Sequence, residues 1–167
     1  MKPAILINGP SSAGKSSTAI EICRLDSSFF HFEADAFVDE EIEKARIIET
    51  EWRSIRREFV EEAYSKANDG QALVIEAICG RDEVPYKLFR KFKRVHGLFV
   101  VGLKPALETL MEREMMRPNP RPRGIAMEQF IRAHVGVSYD LEIDNSQLLP
   151  DETARRILEA YNQKHNP

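Results

Sequence analysis

The segment after the first apolar run has residue types and a spacing suited to binding phosphate. Residues 9–16 read Gly-Pro-Ser-Ser-Ala-Gly-Lys-Ser, which matches the pattern of two glycines with four residues between them, followed by lysine and serine. The glycines allow successive N–H groups to point into one concavity, and the helix N-terminus that follows adds its positive dipole end. We expect the Lys15 ammonium to reach the terminal phosphates and the Ser16 hydroxyl to face Mg²⁺. The predicted site for a nucleoside triphosphate, with ATP as the expected nucleotide, comprises Gly9, Pro10, Ser11, Ser12, Ala13, Gly14, Lys15, Ser16 and Ser17.

Phosphate loops of this kind serve GTPases, motor ATPases and small-molecule kinases, so further groups must separate these classes. A GTPase needs an Asn-Lys-x-Asp segment after a late strand, and neither residues 103–106 nor residues 144–147 provide one. A small kinase needs a carboxylate after its second strand, an acid after its third strand and an arginine-bearing lid. Asp35, Glu76 and the arginines of residues 113–123 fill these three places.

Each of these groups has a predicted role and a simpler alternative. Asp35 is predicted to be the base that orients the acceptor hydroxyl and takes its proton; alternatively it caps the next helix or holds a water on Mg²⁺. Glu76 is predicted to bind the metal together with Ser16; alternatively it is a solvated carboxylate at a strand end. Arg117 and Arg121 are predicted to act in catalysis by neutralising charge on the moving phosphoryl group; alternatively they belong to a solvated basic loop.

The elements that must position these groups alternate between strand and helix along the whole chain. Apolar runs at 4–8, 29–32, 72–75, 97–103 and 141–144 indicate strands, and helix-like stretches with apolar stripes separate them. Short strands that are almost wholly apolar are typical of a sheet buried on both faces. The alternation predicts an α/β fold of the nucleoside-kinase-like P-loop type: a doubly wound, five-stranded, mostly parallel sheet with helices on both faces.

Composition fits one domain over residues 1–167, with a lid at about 113–126. The chain is 43% hydrophobic and 31% charged with a net charge of −3, which gives no general attraction to nucleic acid. The basic segment from Lys87 to Arg94 is interpreted as the solvated face of a helix packed through Phe89 and Phe92. No apolar run nears the roughly 20 residues of a membrane span, and no secretory leader is evident, so a cytoplasmic location with Cys23 and Cys79 as free thiols is expected.

Longer motifs give the chain a resemblance to the chloramphenicol phosphotransferases and their relatives. The matching segments are residues 7–17, the aromatic-x-x-Asp segment at 32–37, residues 101–103 with the Arg113-Glu114 helix, and His-Val-Gly-Val-Ser-Tyr-Asp-Leu-Glu-Ile-Asp at 134–144. The last segment is long and idiosyncratic, so it carries the most weight. The resemblance implies Mg²⁺-dependent transfer of the γ-phosphate of ATP to a small-molecule hydroxyl, in the type enzyme a primary hydroxyl of the antibiotic.

The chain also departs from that family pattern around the acceptor. Glu76-Ala77 stands where the family has two aspartates, the lid is proline-rich, and the helix after Asp35 differs. Two rival functions follow: a kinase of a sugar nucleotide or nucleic-acid end, and a nucleotide-binding protein whose acceptor site has decayed. The first would make activity fall steeply with salt, and the second would bind ATP without transferring phosphate.

Overall fold

The computed structural model describes residues 3–33, 52–78, 84–95, 97–117 and 124–165. The strands are β1 (Ala4–Asn8), β2 (Phe29–Glu33), β3 (Ala72–Ala77), β4 (Leu98–Leu103) and β5 (Leu141–Ile143). The helices are α1 (Lys15–Leu25), α2 (Trp52–Asn68), α3 (Val84–Val95), α4 (Leu107–Met115), α5 (Ile125–Arg132) and α6 (Pro150–His165). None of the helices in these ranges is long and apolar enough to span a membrane.

The strands form one five-stranded sheet in the order β2-β3-β1-β4-β5, and every described pair is parallel. β1 lies at the centre, where Ile5 pairs with Val74 on one side and with Phe99 on the other. All residues of β1, β3 and β4 are buried, because helices cover both faces of the sheet. The predicted doubly wound α/β fold is confirmed.

Successive side chains of the strands point to opposite faces of the sheet and pack into two separate hydrophobic cores. Ile5 and Ile7 pack with residues of α1 and α6, such as Ile22 and Ile157. Leu6 packs on the opposite face with residues of α2 and α3, including Phe59, Phe89 and Phe92. The predicted packing of Phe89 and Phe92 is confirmed, since both rings are buried. On the outer side of α3, Arg90, Lys93 and Arg94 are exposed, as the solvated-face interpretation predicts, and Lys93 also pairs with Asp140 at 3.3 Å.

The described helices match the predicted ones with shifted boundaries. The spacing of Ile48, Trp52, Ile55, Phe59 and Ala63 predicts one apolar stripe on a helix. The prediction is confirmed at Ile55, Phe59 and Ala63 of α2, which are all buried, whereas Ile48 and the Trp52 side chain lie outside what the structure describes. The sequence from Met127 to His134 predicts a short helix, and the structure begins this helix two residues earlier, at Ile125. Glu114 of α4 explains the early start, because its carboxylate accepts hydrogen bonds from the N–H groups of Gly124 and Ala126. A cap supplied by another helix leaves no local sequence pattern.

Candidate functional site

The phosphate loop connects β1 to α1 at the carboxyl edge of the central strand, where α/β sheets bind their ligands. Gly14 adopts a left-handed backbone with φ 88°, which lets the chain turn directly into α1. Gly9 has a different requirement, because a Cβ there would lie 3.0 Å from the Leu103 carbonyl oxygen and 3.1 Å from the Ala13 Cβ. The first glycine therefore allows close packing against β4, and the second shapes the helix entry.

Ser16 and Glu76 meet beside this loop. The Ser16 hydroxyl donates a hydrogen bond of 3.0 Å to Glu76 Oε2, and His31 Nε2 lies 3.1 Å from Oε1 of the same carboxylate. The parallel register of β2 and β3 places Glu33 opposite Glu76. Ligand atoms of His31, Glu33 and Glu76 all lie within 4.8 Å of one another. The hydroxyl and the carboxylate are the hard oxygen donors that Mg²⁺ prefers, so this corner fits a divalent cation.

Glu76 stays ionised although it is almost completely buried, with 3% of its surface exposed. Burial raises its pKa, but hydrogen bonds from His31 and Ser16 and the charge of Lys15 outweigh burial and lower the pKa below its ordinary value. A buried carboxylate held in its charged form by a serine, a histidine and a lysine is suited to cation binding.

Lys15 begins α1 and folds back over the loop. Its ammonium group donates a hydrogen bond of 3.0 Å to the Pro10 carbonyl oxygen. The side chain is partly exposed and lines the cavity in front of the loop. A flexible stem and a compact charge allow this ammonium to follow a phosphate group that enters the cavity.

A second set of contacts joins the loop to the segment after β5. Asn145, which is 3% exposed, donates from Nδ2 to the Ala13 carbonyl oxygen at 2.9 Å. Arg113 of α4 donates from Nη2 to the Asn145 carbonyl oxygen at 2.8 Å and to the Ser146 carbonyl oxygen at 3.4 Å. Arg113 thus braces the segment that holds the loop, a role that its position in the predicted lid did not indicate.

A third contact reaches the loop from α5. Gln129 Oε1 accepts a hydrogen bond of 2.7 Å from the Ser11 N–H, and Gln129 is 9% exposed. The next residue, Ser12, has a left-handed backbone with φ 63°. Asn145, Gln129 and Ser12 are site residues whose structural roles sequence reasoning missed.

A partly buried network lies at the end of β1, on the side of the sheet covered by α2 and α3. Asn8 donates from Nδ2 to the Tyr139 hydroxyl at 2.5 Å and to the Ala133 carbonyl oxygen at 2.8 Å. His134 Nδ1 lies 2.7 Å from the same hydroxyl. Burial and the nearby Lys104 charge lower the pKa of His134 to about 4, so its imidazole is neutral at pH 7.

The Tyr139 hydroxyl joins two neighbours in this network. It accepts a hydrogen bond from Asn8 and lies within hydrogen-bond distance of His134 Nδ1, and the tautomer of the neutral imidazole sets which of the last two groups donates. The family-like segment 134–144 therefore connects the end of β1 to the chain after α5 through hydrogen bonds. Asp140, in the same segment, accepts a hydrogen bond from the Val100 N–H at 2.8 Å and pairs with Lys164.

The phosphate loop, Glu76 and the segment after β5 border a cavity of about 410 Å³. The residues that line it are Ser11, Ser12, Gly14, Lys15, Ser16, Ser17, Thr18, Glu76, Ile78, Arg113, Arg117, Asn145, Leu148, Leu149 and Pro150. A cavity of this size accommodates a ligand of ordinary cofactor dimensions. The residues combine loop N–H groups, a lysine and two arginines with a buried carboxylate, which suits a polyphosphate with a bound cation.

The structure brings most of the predicted site residues together. Lys15, Ser16, Glu76 and Arg117 surround one cavity, and Gly9, Pro10 and Ala13 shape the loop behind it. Asp35 and Arg121 lie outside the described residues. Their predicted roles stay predictions.

Comparison with known proteins gives a match over nearly the whole chain. The model of the family described as chloramphenicol phosphotransferase-like protein matches residues 3–162. A search of curated proteins found no significant sequence match.

Solved structures with the same fold include several kinases. A sugar kinase from Janibacter sp. HTCC2649 is 17% identical with a TM-score of 0.74, and the match covers 97% of this chain and 95% of that one. The APS kinase of Mycobacterium tuberculosis, in complex with AMPPNP and APS, is 19% identical with a TM-score of 0.68, over 95% of this chain and 96% of that one. The shikimate kinase of Bacteroides thetaiotaomicron is 16% identical with a TM-score of 0.67, over 99% of both chains. At these identities the likeness concerns the fold alone.

Proposed function

The chain belongs to the chloramphenicol phosphotransferase-like family, and from this premise we propose that it transfers the γ-phosphate of ATP, with Mg²⁺, to a hydroxyl group of a small molecule. The observation that carries the proposal is the shared cavity of the phosphate loop and Glu76, where the Ser16 hydroxyl meets the buried carboxylate at 3.0 Å. This pairing of a loop serine with an acid at a strand end is how phosphate-loop enzymes hold a nucleotide-bound cation.

The donor half of the reaction uses the loop and its neighbours. The loop N–H groups and the Lys15 ammonium hold the terminal phosphates, while Ser16 and Glu76 hold Mg²⁺. The metal, when bound, neutralises charge on the phosphate oxygens. The kinase of like fold that carries AMPPNP supports the choice of ATP as donor.

The transfer step needs an acceptor base and positive charge over the moving group. The acceptor oxygen forms a bond to the γ-phosphorus, the bond from that phosphorus to the ADP oxygen breaks, and the hydroxyl proton passes to Asp35. Arg117, which lines the cavity, stabilises the charge on the phosphoryl group together with Arg121 of the lid. The assignments of Asp35 and Arg121 rest on the sequence and on the family resemblance.

The acceptor is proposed by class: a small molecule with an accessible hydroxyl. The family resemblance makes the primary hydroxyl of chloramphenicol the first acceptor to test. The departures at Glu76-Ala77 and after Asp35 lie where the acceptor is expected, so other hydroxylated antibiotics and metabolites belong in the same test.

The test is a transfer assay with γ-labelled ATP and Mg²⁺ against hydroxylated antibiotics, metabolites and nucleotides. We expect label to move to at least one small-molecule hydroxyl with the wild-type protein and not with Asp35→Asn. Asp69→Asn, which changes an exposed aspartate in the turn after α2, is the matched control and should keep full activity. Equal transfer by Asp35→Asn would refute the assigned base. Failure of the wild-type protein to label any hydroxyl while binding ATP would favour a nucleotide-binding protein without an acceptor.

A further inference from the structure

Ser12 holds an unfavourable conformation in the middle of the phosphate loop. Among the described residues it is the one non-glycine residue with a positive φ, at 63°. It is 6% exposed, and its hydroxyl has no hydrogen-bond partner within the described part of the chain. A left-handed backbone is costly for an L-residue, and a buried unpaired hydroxyl adds to that cost. Such a conformation persists only where the surrounding structure fixes it.

Two buried side chains fix the backbone on either side of Ser12. Gln129 accepts from the Ser11 N–H at 2.7 Å, and Asn145 donates to the Ala13 carbonyl oxygen at 2.9 Å. These hydrogen bonds join residues 118 and 132 positions apart in the sequence. The two residues immediately before and after Ser12 are therefore each held by a different distant element.

We propose that Gln129 and Asn145 are positioning residues that clamp Ser12 in its left-handed conformation and so preform the phosphate loop before the nucleotide binds. The inference rests on the proposed function for the identity of the nucleotide. It adds to that function in two ways. The Ser11 N–H donates to Gln129 and the Ala13 N–H donates to the Pro10 carbonyl oxygen, so neither of these two loop N–H groups points to a phosphate in this arrangement. Gln129 also belongs to α5, which follows the predicted lid, so the clamp joins the lid's downstream helix to the loop.

Both helices around the predicted lid are tied to the loop in this arrangement. Arg113 of α4, at the start of the predicted lid, donates hydrogen bonds to the Asn145 and Ser146 carbonyl oxygens. Gln129 of α5 holds Ser11 downstream of it. Glu114 ties the two helices together by accepting from Gly124 and Ala126 N–H groups. A loop that is braced in this way binds phosphate without first ordering its own backbone, which strengthens binding.

The clamp is tested by comparing Gln129→Leu with the wild-type protein. Leucine keeps most of the volume but cannot accept the Ser11 hydrogen bond. Hydrogen exchange of the nucleotide-free protein should show the Ser11 amide exchanging at least about tenfold faster, and the ATP dissociation constant should rise about tenfold. Gln163→Leu, which changes an exposed glutamine of α6, is the matched control and should alter neither quantity. Unchanged exchange at Ser11, or unchanged ATP affinity, would overturn the proposal.

A second pair of variants keeps the test decisive if Gln129→Leu does not fold. Asn145→Ala removes the other hydrogen bond without altering α5 and should raise the dissociation constant similarly; full ATP affinity in that variant would overturn the proposal. Ser12→Gly removes the left-handed penalty, so the loss caused by Asn145→Ala should be several-fold smaller in the Ser12→Gly background. Additive losses would show that the side chains do not act through Ser12.

The exchange measurement separates this inference from the proposed function. A wild-type protein that does not bind ATP would refute the nucleotide assignment, whereas exchange at Ser11 in the nucleotide-free protein still decides whether Gln129 holds the loop.

Discussion

Replacing Glu76 by glutamine separates its structural role from its proposed role at the metal. The carboxylate accepts a hydrogen bond from Ser16 at 3.0 Å and contacts His31 at 3.1 Å. The glutamine amide can keep both contacts. Its oxygen accepts one hydrogen bond, and its NH₂ group donates to the other neighbour, which then acts as an acceptor. What is lost is charge assistance, worth roughly 1 kcal/mol for each bond and partly offset because a charge need no longer be buried. We therefore expect Glu76→Gln to lower the free energy of unfolding at pH 7 by only about 1–2 kcal/mol.

Nucleotide binding should respond far more strongly than stability. With the charge removed, the factor by which Mg²⁺ strengthens ATP binding should fall at least about tenfold. The assay is a titration with a fluorescent ATP analogue in Mg²⁺ and in EDTA, combined with denaturant unfolding of the same samples. Glu108→Gln, at an exposed site on α4, is the matched control. If Mg²⁺ strengthens ATP binding equally in Glu76→Gln and the wild-type protein, the assignment of Glu76 to the metal is refuted.

The pKa of Glu76 adds a pH dependence with a definite sign. Its folded pKa lies below the ordinary value of 4.5, so the ionised carboxylate stabilises the fold above pH 4.5. That contribution is lost as the pH falls through the lower folded pKa. The stability difference between the wild-type protein and Glu76→Gln should therefore be constant from pH 7 to about pH 5.5 and shrink below pH 4.5. A difference that grows on acidification would contradict this sign.

Three further substitutions test the packing and bracing of the site. Gly102→Ala places a Cβ 2.9 Å from the Tyr139 ring and should destabilise the protein by about 1–3 kcal/mol in denaturant unfolding, whereas an unchanged midpoint would contradict the close packing. Arg113→Lys cannot span two carbonyl oxygens, so it should weaken ATP binding about three- to tenfold by calorimetry with little loss of stability; full affinity would refute the bracing of Asn145. Ile157→Val, at a fully buried position, should lower the unfolding free energy by about 0.5–1.5 kcal/mol and leave ATP affinity unchanged, and a loss of affinity would contradict its assignment to the core alone.

The fold was predictable because its signals are local and repeated. Buried segments can be predicted from apolar runs such as Leu73–Ile75 and from helical spacing such as that of Ile55, Phe59 and Ala63. The alternation of strands and helices along the chain then allows few topologies. The position of Glu76 was predictable as well, because it follows a short apolar strand of a parallel sheet and such strands end at the same edge as the phosphate loop. Its role at the metal stays a prediction.

The braces of the site could not be predicted for a physical reason. Gln129 and Asn145 each make one hydrogen bond to a loop more than a hundred residues away, and neither lies in a pattern of its own. His31 is read from sequence as part of an aromatic strand, and only the pairing of β2 with β3 brings it to Glu76. Long-range polar contacts depend on strand register and helix packing, and neither can be derived from a single sequence.

The most direct test of the central claim follows the phosphorus of ATP by ³¹P NMR in the presence of Mg²⁺ and a hydroxylated acceptor, with chloramphenicol first. We predict that the γ-phosphate signal falls as a phosphate monoester signal of the acceptor rises in a one-to-one ratio, and that Lys15→Met abolishes both changes. Release of the γ-phosphate only as inorganic phosphate across the acceptor set, or ester formation at the same rate by Lys15→Met, would contradict the assignment of this chain as a small-molecule kinase that works through its phosphate loop.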